Sequence, residues 1–323
     1  MPVVLLSNSY SSDPLRIVTE ELPAGFDLLV LKKASKDELV YNARFADYIL
    51  ASGRLPIDRE VVNASSKLKM IQRTGVGTDT LDLEVLKEKG IPVYINQGVN
   101  SRSVAEHTVM LMLSVLRRLP LTDSSVKMGK WLKQEMGIKC AELHKKTVGL
   151  IGLGNIGSLV AKMLQPFETN VLYFKRTRLD SNEEKRLGIS YLPFSRLLER
   201  VEILSLHCPL NDSTEKMIGE REIAEMKAGA IIINTSRGRL IDERALAKAL
   251  MSGHLMGAGL DVFTDEPLSK NNPLLSLDNV VLTPHIGGVT LDSFRRMIRD
   301  ALNNIRLFEE GKLDQLESKR LKI

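Results

Sequence analysis

The chain predicts an α/β protein of two domains, each built on a parallel sheet. Short apolar runs alternate with helix-like segments along its 323 residues, and a glycine-rich turn at Gly152, Gly154 and Gly157 joins one such run to a helix. A chain of this length exceeds what one core usually serves. Apolar content of 43% and charged content of 26% are ordinary for a globular protein, so packed cores are expected.

Apolar runs at 3–7, 27–31, 48–51, 68–73 and 92–95 read as strands, with helices at 14–21, 37–45, 58–64 and 80–89 between them. Alternation of this kind implies parallel strands with right-handed crossovers, and so an α/β unit over the first hundred residues. Its fourth strand closes on Arg73-Thr74-Gly75-Val76-Gly77-Thr78-Asp79, at the carboxyl edge where open sheets take ligands. Two glycines there leave backbone N–H groups free to form an anion-binding nest, or simply make a turn.

A turn at 96–100 leads into a long helix over 101–119, with Val104, Thr108, Leu111 and Val115 on one face. His107 lies inside it and reads as a packing histidine. A polar stretch with the only tryptophan, Trp131, follows.

The run 147–151 is a buried strand that passes directly into G-x-G-x-x-G and a helix over 158–164, followed by a strand over 170–174. Gly152 permits the bend, Gly154 leaves room for a pyrophosphate and Gly157 lets helix and strand pack closely. The helix N-terminus offers unpaired N–H groups and partial positive charge to a dinucleotide. Where NAD sites carry an acidic residue about 20 positions on, this chain has Lys175, Arg176 and Arg178. Guanidinium groups bind a 2′-phosphate that a carboxylate would repel, which points to NADP(H) before NAD(H). The alternatives are three basic residues that only end a strand in solvent, or an Asp180 that reaches the ribose.

Further strands are expected at 203–207, 230–234, 257–262 and 280–282, with helices at 194–200, 220–226 and 243–252. Segment 180–188 is helical or looped. A last amphipathic helix over 291–311 would return the chain to the first domain. Three polar residues, Arg237, Glu266 and His285, each follow a different strand of this second sheet, so its carboxyl edge should gather them. Their types suit hydride transfer between a nicotinamide and a carbonyl. Histidine can give the carbonyl oxygen its proton, a neighbouring Glu266 would stabilise the charged ring and fix it, and Arg237 can clamp a carboxylate and polarise the carbonyl.

The stretches NTSRGRLIDERAL, GLDVFTDEPL and TPHIGG, with GLIGLGNIG and GVNSRSVAEHT, resemble the signature segments of the D-2-hydroxyacid dehydrogenase family over essentially the whole chain. The resemblance implies a flavodoxin-like substrate domain of residues 1–100 and 290–323, with a Rossmann cofactor domain of residues 101–289 inserted in it, and a homodimer paired through the cofactor domains. It implies that Arg237, Glu266 and His285 are catalytic and that Val76 and Gly77 bind the substrate carboxylate together with Arg237 and His285. Cofactor contacts would come from Val104, Asn155, Ile156, Pro209, Thr214 and Thr235, and Asp261 would hold the nicotinamide amide. The basic pair Lys175 and Arg176 looks like that of NADP-using glyoxylate/hydroxypyruvate reductases. Phosphoglycerate dehydrogenases of the family usually carry an arginine after the strand equivalent to 48–51; here Ser52 holds that place, with Arg54 two residues on, which leans against that alternative without excluding it. Formate dehydrogenases of the superfamily carry Gln in place of Glu266.

Composition bounds the rest. A net charge of +5 spreads over 45 basic and 40 acidic residues without an aromatic-basic pattern, so nucleic acid is not an expected partner. No signal peptide or membrane-spanning run is legible, and Cys140 and Cys208 form neither a zinc motif nor a disulfide framework; a cytoplasmic protein without a metal is expected. A non-catalytic dinucleotide-sensing, corepressor-like protein is the rival from another class, for which the chain lacks low-complexity tails.

Overall fold

The structure, a computed structural model, describes residues 1–322. The chain divides into two compact units, Met1–Asn100 with Leu291 onward, and Ser101–Thr290.

The first unit alternates β1 (Val3–Leu6), α1 (Ser12–Glu21), β2 (Asp27–Val30), α2 (Lys36–Ala43), β3 (Tyr48–Ala51), α3 (Arg59–Ala64), β4 (Met70–Arg73), α4 (Leu83–Glu88) and β5 (Val93–Tyr94). All pairings are parallel, in the order β2-β1-β3-β4-β5, which is the flavodoxin-like order. Side-chain caps start α2, α3 and α4: Ser35 accepts from the N–H of Glu38, Asp58 from Val61 and Asp82 from Val85. One face of the sheet, with Leu5, Ile49 and Ile71, packs with Leu39, Val61 and Val85 of α2–α4. The other, with Val4, Tyr48 and Met70, is covered by Ile298, Ala301, Leu302 and Ile305 of the long helix at Leu291–Glu309. Beneath that helix lies a buried polar cluster: Asn304 Nδ2 donates to Gln72 Oε1 (3.1 Å), Lys319 Nζ donates to Asn304 Oδ1 (2.7 Å) and Asn96 Nδ2 donates to the Met297 carbonyl (2.9 Å).

The second unit holds α5 (Ser101–Leu116), α6 (Leu119–Lys127), α7 (Lys133–Gly137), β6 (Thr147–Ile151), α8 (Asn155–Leu164), β7 (Asn170–Phe174), α9 (Ser181–Leu187), β8 (Ile189–Tyr191), α10 (Phe194–Leu198), β9 (Ile203–Leu206), α11 (Glu220–Glu225), β10 (Ala230–Asn234), α12 (Glu243–Met251), β11 (Leu255–Leu260) and β12 (Val280–Leu282). Its seven parallel strands run β12-β11-β10-β9-β6-β7-β8, the Rossmann order with the reversal between β6 and β9. Central strands are buried along their whole length, as a sheet covered on both faces requires.

Three details depart from the sequence reading. The segment 101–119 is not one helix: Arg118 takes a left-handed φ of 49°, ending α5 and letting α6 begin with Pro120 in its first turn. Strand β8, only three residues long, lies hidden between two short helices. Strand β11 spans Leu255–Leu260, shifted two residues toward the N-terminus from the expected 257–262. The last helix, Leu291–Glu309, is α13.

Candidate active site

The reversal point of the seven-stranded sheet is built from glycines. Gly152 has a φ of +92°, and a Cβ there would stand 2.7 Å from the backbone of His207 and Cys208, so the turns after β6 and β9 touch. A Cβ on Gly157 would lie 2.4 Å from the Gly152 carbonyl oxygen, whereas one on Gly154 meets nothing within 4 Å. Gly154 is the N-cap of α8 and, having no side chain, caps nothing, so the first turn of a ten-residue helix faces open space with its dipole unopposed. These residues fit the pyrophosphate of a dinucleotide on geometry alone.

Around that crevice stand the other expected contacts. Asn155 and Ile156 open α8. Pro209 and Thr214 share one loop, closed by the Thr214 hydroxyl donating to the Pro209 carbonyl (2.8 Å). Val104 and Thr235 are joined through Thr108, whose hydroxyl donates to the Val104 carbonyl (2.7 Å) and lies 2.9 Å from that of Thr235.

The basic end of β7 is partly committed. Arg178 makes a two-point ion pair with Glu184 (2.8 and 2.9 Å) and covers the Tyr191 ring. Tyr173 donates to the same carboxylate (2.8 Å). Arg178 and Tyr173 hold the Glu184 carboxyl down at about 2. Asp180 accepts from the N–H groups of Asn182 and Glu183 through Oδ1 as the cap of α9. That leaves half-buried Lys175 and exposed Arg176 as the cations of this turn with no carboxylate partner among the described residues.

At the carboxyl ends of β10, β11 and β12, three neighbouring strands, stand Arg237, Glu266 and His285. His285 Nδ1 is 2.7 Å from Glu266 Oε2, while Glu266 Oε1 accepts from the Phe263 N–H (3.0 Å). The pairing leaves Nε2 of the ring facing away from Glu266. Arg237 is exposed, with one guanidinium N–H on the Ser236 carbonyl (2.7 Å). Gly238 beside it lies against the Phe263 backbone so closely that a Cβ would sit 1.9 Å from the Phe263 carbonyl carbon. Gly238, next to Arg237, and Glu266 therefore both meet Phe263.

Asp261, 2% exposed, accepts from the Thr283 hydroxyl (2.6 Å) and from the N–H groups of Ile286 (2.9 Å) and Gly287 (2.7 Å). Its Oδ2 accepts only from Gly287 among these, so it keeps capacity for one further donor, as the role toward a nicotinamide amide needs. His107 reaches the same cluster, with Nε2 2.9 Å from Thr283 Oγ1. In sequence it reads as a packing residue, because its partner is 176 positions away.

Val76 and Gly77 belong to the first unit, on the loop after β4, where Val76 is 53% exposed. Arg73 lies buried beneath that loop and donates to the carbonyls of Gly77 (2.7 Å), Ser52 (2.5 Å) and Ala51 (3.3 Å). It carries no direct carboxylate partner among the described residues, and burial lowers its pKa.

Residues 109–287 match the profile of the D-isomer specific 2-hydroxyacid dehydrogenase NAD binding domain. The chain belongs to the D-isomer specific 2-hydroxyacid dehydrogenase family. It is an NAD(P)-dependent oxidoreductase. A glyoxylate reductase of Korarchaeum cryptofilum is 36% identical over 281 residues, covering 86% of this chain and 84% of that protein. A D-3-phosphoglycerate dehydrogenase of Archaeoglobus fulgidus is 38% identical over 270 residues, 83% of this chain but only 50% of that protein. The solved structure of an NADPH-dependent glyoxylate/hydroxypyruvate reductase from Sinorhizobium meliloti, in complex with citrate, superposes with a TM-score of 0.81 at 28% identity, covering 96% of this chain and 95% of that one. No helix among the described residues is long and apolar enough to cross a membrane.

Proposed function

We propose that this dehydrogenase is an NADPH-dependent reductase of small 2-oxo acids such as glyoxylate or hydroxypyruvate. The carrying observation is the turn after β7, where Lys175 and Arg176 stand without a carboxylate partner among the described residues while Glu184 is ion-paired with Arg178 and Asp180 caps α9 through one oxygen. A 2′-phosphate would meet two cations there, with the Glu184 carboxylate neutralised by Arg178.

When bound, the nicotinamide supplies a hydride to the carbonyl carbon. His285 gives the developing alkoxide its proton from Nε2, while Glu266 on Nδ1 keeps the ring oriented. Arg237 draws the carbonyl and carboxylate oxygens through its fork of donors. Val76 and Gly77 offer backbone N–H groups to the carboxylate, on a loop whose shape the buried Arg73 maintains.

Ser52 supports a small substrate over phosphoglycerate. It is 9% exposed, and its N–H donates to the Ser7 hydroxyl (2.8 Å), so this position supplies no cation for a phosphate. The exposed apolar residues Met110, Leu113 and Leu119, which border a groove of about 850 Å³ on the α5–α7 side of the second unit, support a homodimer through that unit. The organisation of the chain supports the remaining roles: unit 2 as cofactor domain and unit 1 as substrate domain. Free thiols at Cys140 and Cys208 agree with a reducing compartment such as the cytoplasm.

The test is kcat/KM for a panel of 2-oxo acids with NADPH and with NADH. At least a tenfold preference for NADPH is expected, since losing a well-made phosphate contact costs about 1.4 kcal/mol or more. A preference for NADH would defeat the cofactor assignment. Faster turnover of phosphoglycerate would defeat the substrate.

A further inference from the structure

We propose that His107 is a positioning residue for the proton donor: through the Thr283 hydroxyl it holds the 283–287 loop in the arrangement that keeps His285 paired with Glu266. The inference rests on His285 being the proton donor, and it assigns a role to a side chain that the reaction itself does not use.

The direction of each hydrogen bond follows from the groups present. Asp261 is a carboxylate: burial acts to raise its pKa, but donors from His107, Thr283, Gly287 and Ile286 outweigh this and hold it below the usual range. A carboxylate only accepts, so the Thr283 hydroxyl spends its single proton on Asp261 Oδ1 at 2.6 Å. Thr283 Oγ1 can then only accept from His107, whose Nε2 must carry the hydrogen and points between Thr283 Oγ1 at 2.9 Å and Asp261 Oδ1 at 3.4 Å. The His107 ring is thereby held in one tautomer, with its side chain 11% exposed.

The same ring touches the far end of the loop. A Cβ built on Gly287 would stand 2.9 Å from Asp261 Oδ2 and 3.4 Å from His107 Cδ2, so the backbone passes against both groups. His107 and Asp261 thus grip residues 283 and 287, with His285 midway between the fixed points. His285 has a φ of +55°, a region that a non-glycine residue keeps only where its surroundings impose it. Its own N–H is turned back onto the Thr283 carbonyl (3.0 Å). Loss of the donor on His107 leaves Thr283 held by Asp261 alone, and so loosens the loop and the ring that must face the carbonyl.

The experiment compares His107→Phe, which keeps a flat ring and removes the donor, with His107→Gln, whose amide N–H can reach the same oxygen. With NADPH and the best 2-oxo acid of the panel, His107→Phe should lower kcat at least about tenfold while the dissociation constant of NADPH changes less than about twofold. His107→Gln should recover most of that loss. A role in packing alone would make Gln, the poorer filler, the worse of the two. Wild-type kcat in His107→Phe, or equal damage in both variants, overturns the inference and leaves the proposed function standing. If His107→Phe does not fold, Thr283→Val is compared with Thr283→Ser: a loss of kcat in Val that Ser restores supports the inference, and equal kcat in the two overturns it. A wild type inert on every 2-oxo acid overturns both the inference and the proposed function.

Discussion

His285 is held on one side by Glu266 and on the backbone side by its left-handed turn, and its other ring nitrogen has no partner among the described residues. His285→Ala should therefore lower kcat by about a hundredfold or more, the usual worth of general acid catalysis, while NADPH still binds. Arg237→Ala should act chiefly on KM for the oxo acid, because its guanidinium is exposed and makes only one local bond, to Ser236. Steady-state kinetics beside a cofactor binding titration checks both, and near-normal turnover of the His285 variant would remove it from the acid role. The trio is legible in the sequence because each member directly follows an apolar strand. The partners of Asp261 are not: Thr283 is 22 positions away, and His107 is joined to Thr283 across 176. Nothing local distinguishes a histidine bonded to another loop from one that only packs.

At the scale of an element, the β6–α8 turn separates fold from function among its own glycines. Gly154 has an ordinary φ of −94° and open space around it, so Gly154→Ala should leave the melting temperature within a few degrees. The added methyl would nevertheless occupy the approach of the pyrophosphate, and NADPH affinity should fall at least about tenfold. Gly157→Ala drives a methyl into the Gly152 carbonyl and should destabilise the unit by roughly 1–3 kcal/mol. Thermal melts and cofactor titration of both variants decide this, and equal melting temperatures would show the turn to be looser than these contacts imply. Strand periods and the glycine spacing make this element readable. Strand β8 is not, since three residues carry too little pattern, and the break at Arg118 is not, since a left-handed arginine has no sequence mark.

For the whole molecule, alternating strands and helices announce both sheets as parallel and α/β, and their strand orders match the two doubly wound patterns. Less legible is the cluster of buried Gln72, Asn96 and Asn304 with half-buried Lys319, which reads in sequence as four unrelated polar residues. If the second unit pairs with a copy of itself, Met110→Glu combined with Leu113→Glu should convert dimers to monomers in sedimentation, because each carboxylate would be buried unpaired. A native oligomer that survives both changes would place the pairing elsewhere.

Helix α13 also bears on how the protein is made. Strands β1 to β5 leave the ribosome early, yet the helix that covers Val4, Tyr48 and Met70 is encoded after residue 290. Until it emerges, one side of that sheet stays apolar and bare, while Ser101–Thr290 already contains every strand of its own sheet. The middle of the polypeptide can thus mature before its beginning, and the newborn N-terminal strands are the part that a holding chaperone would shield.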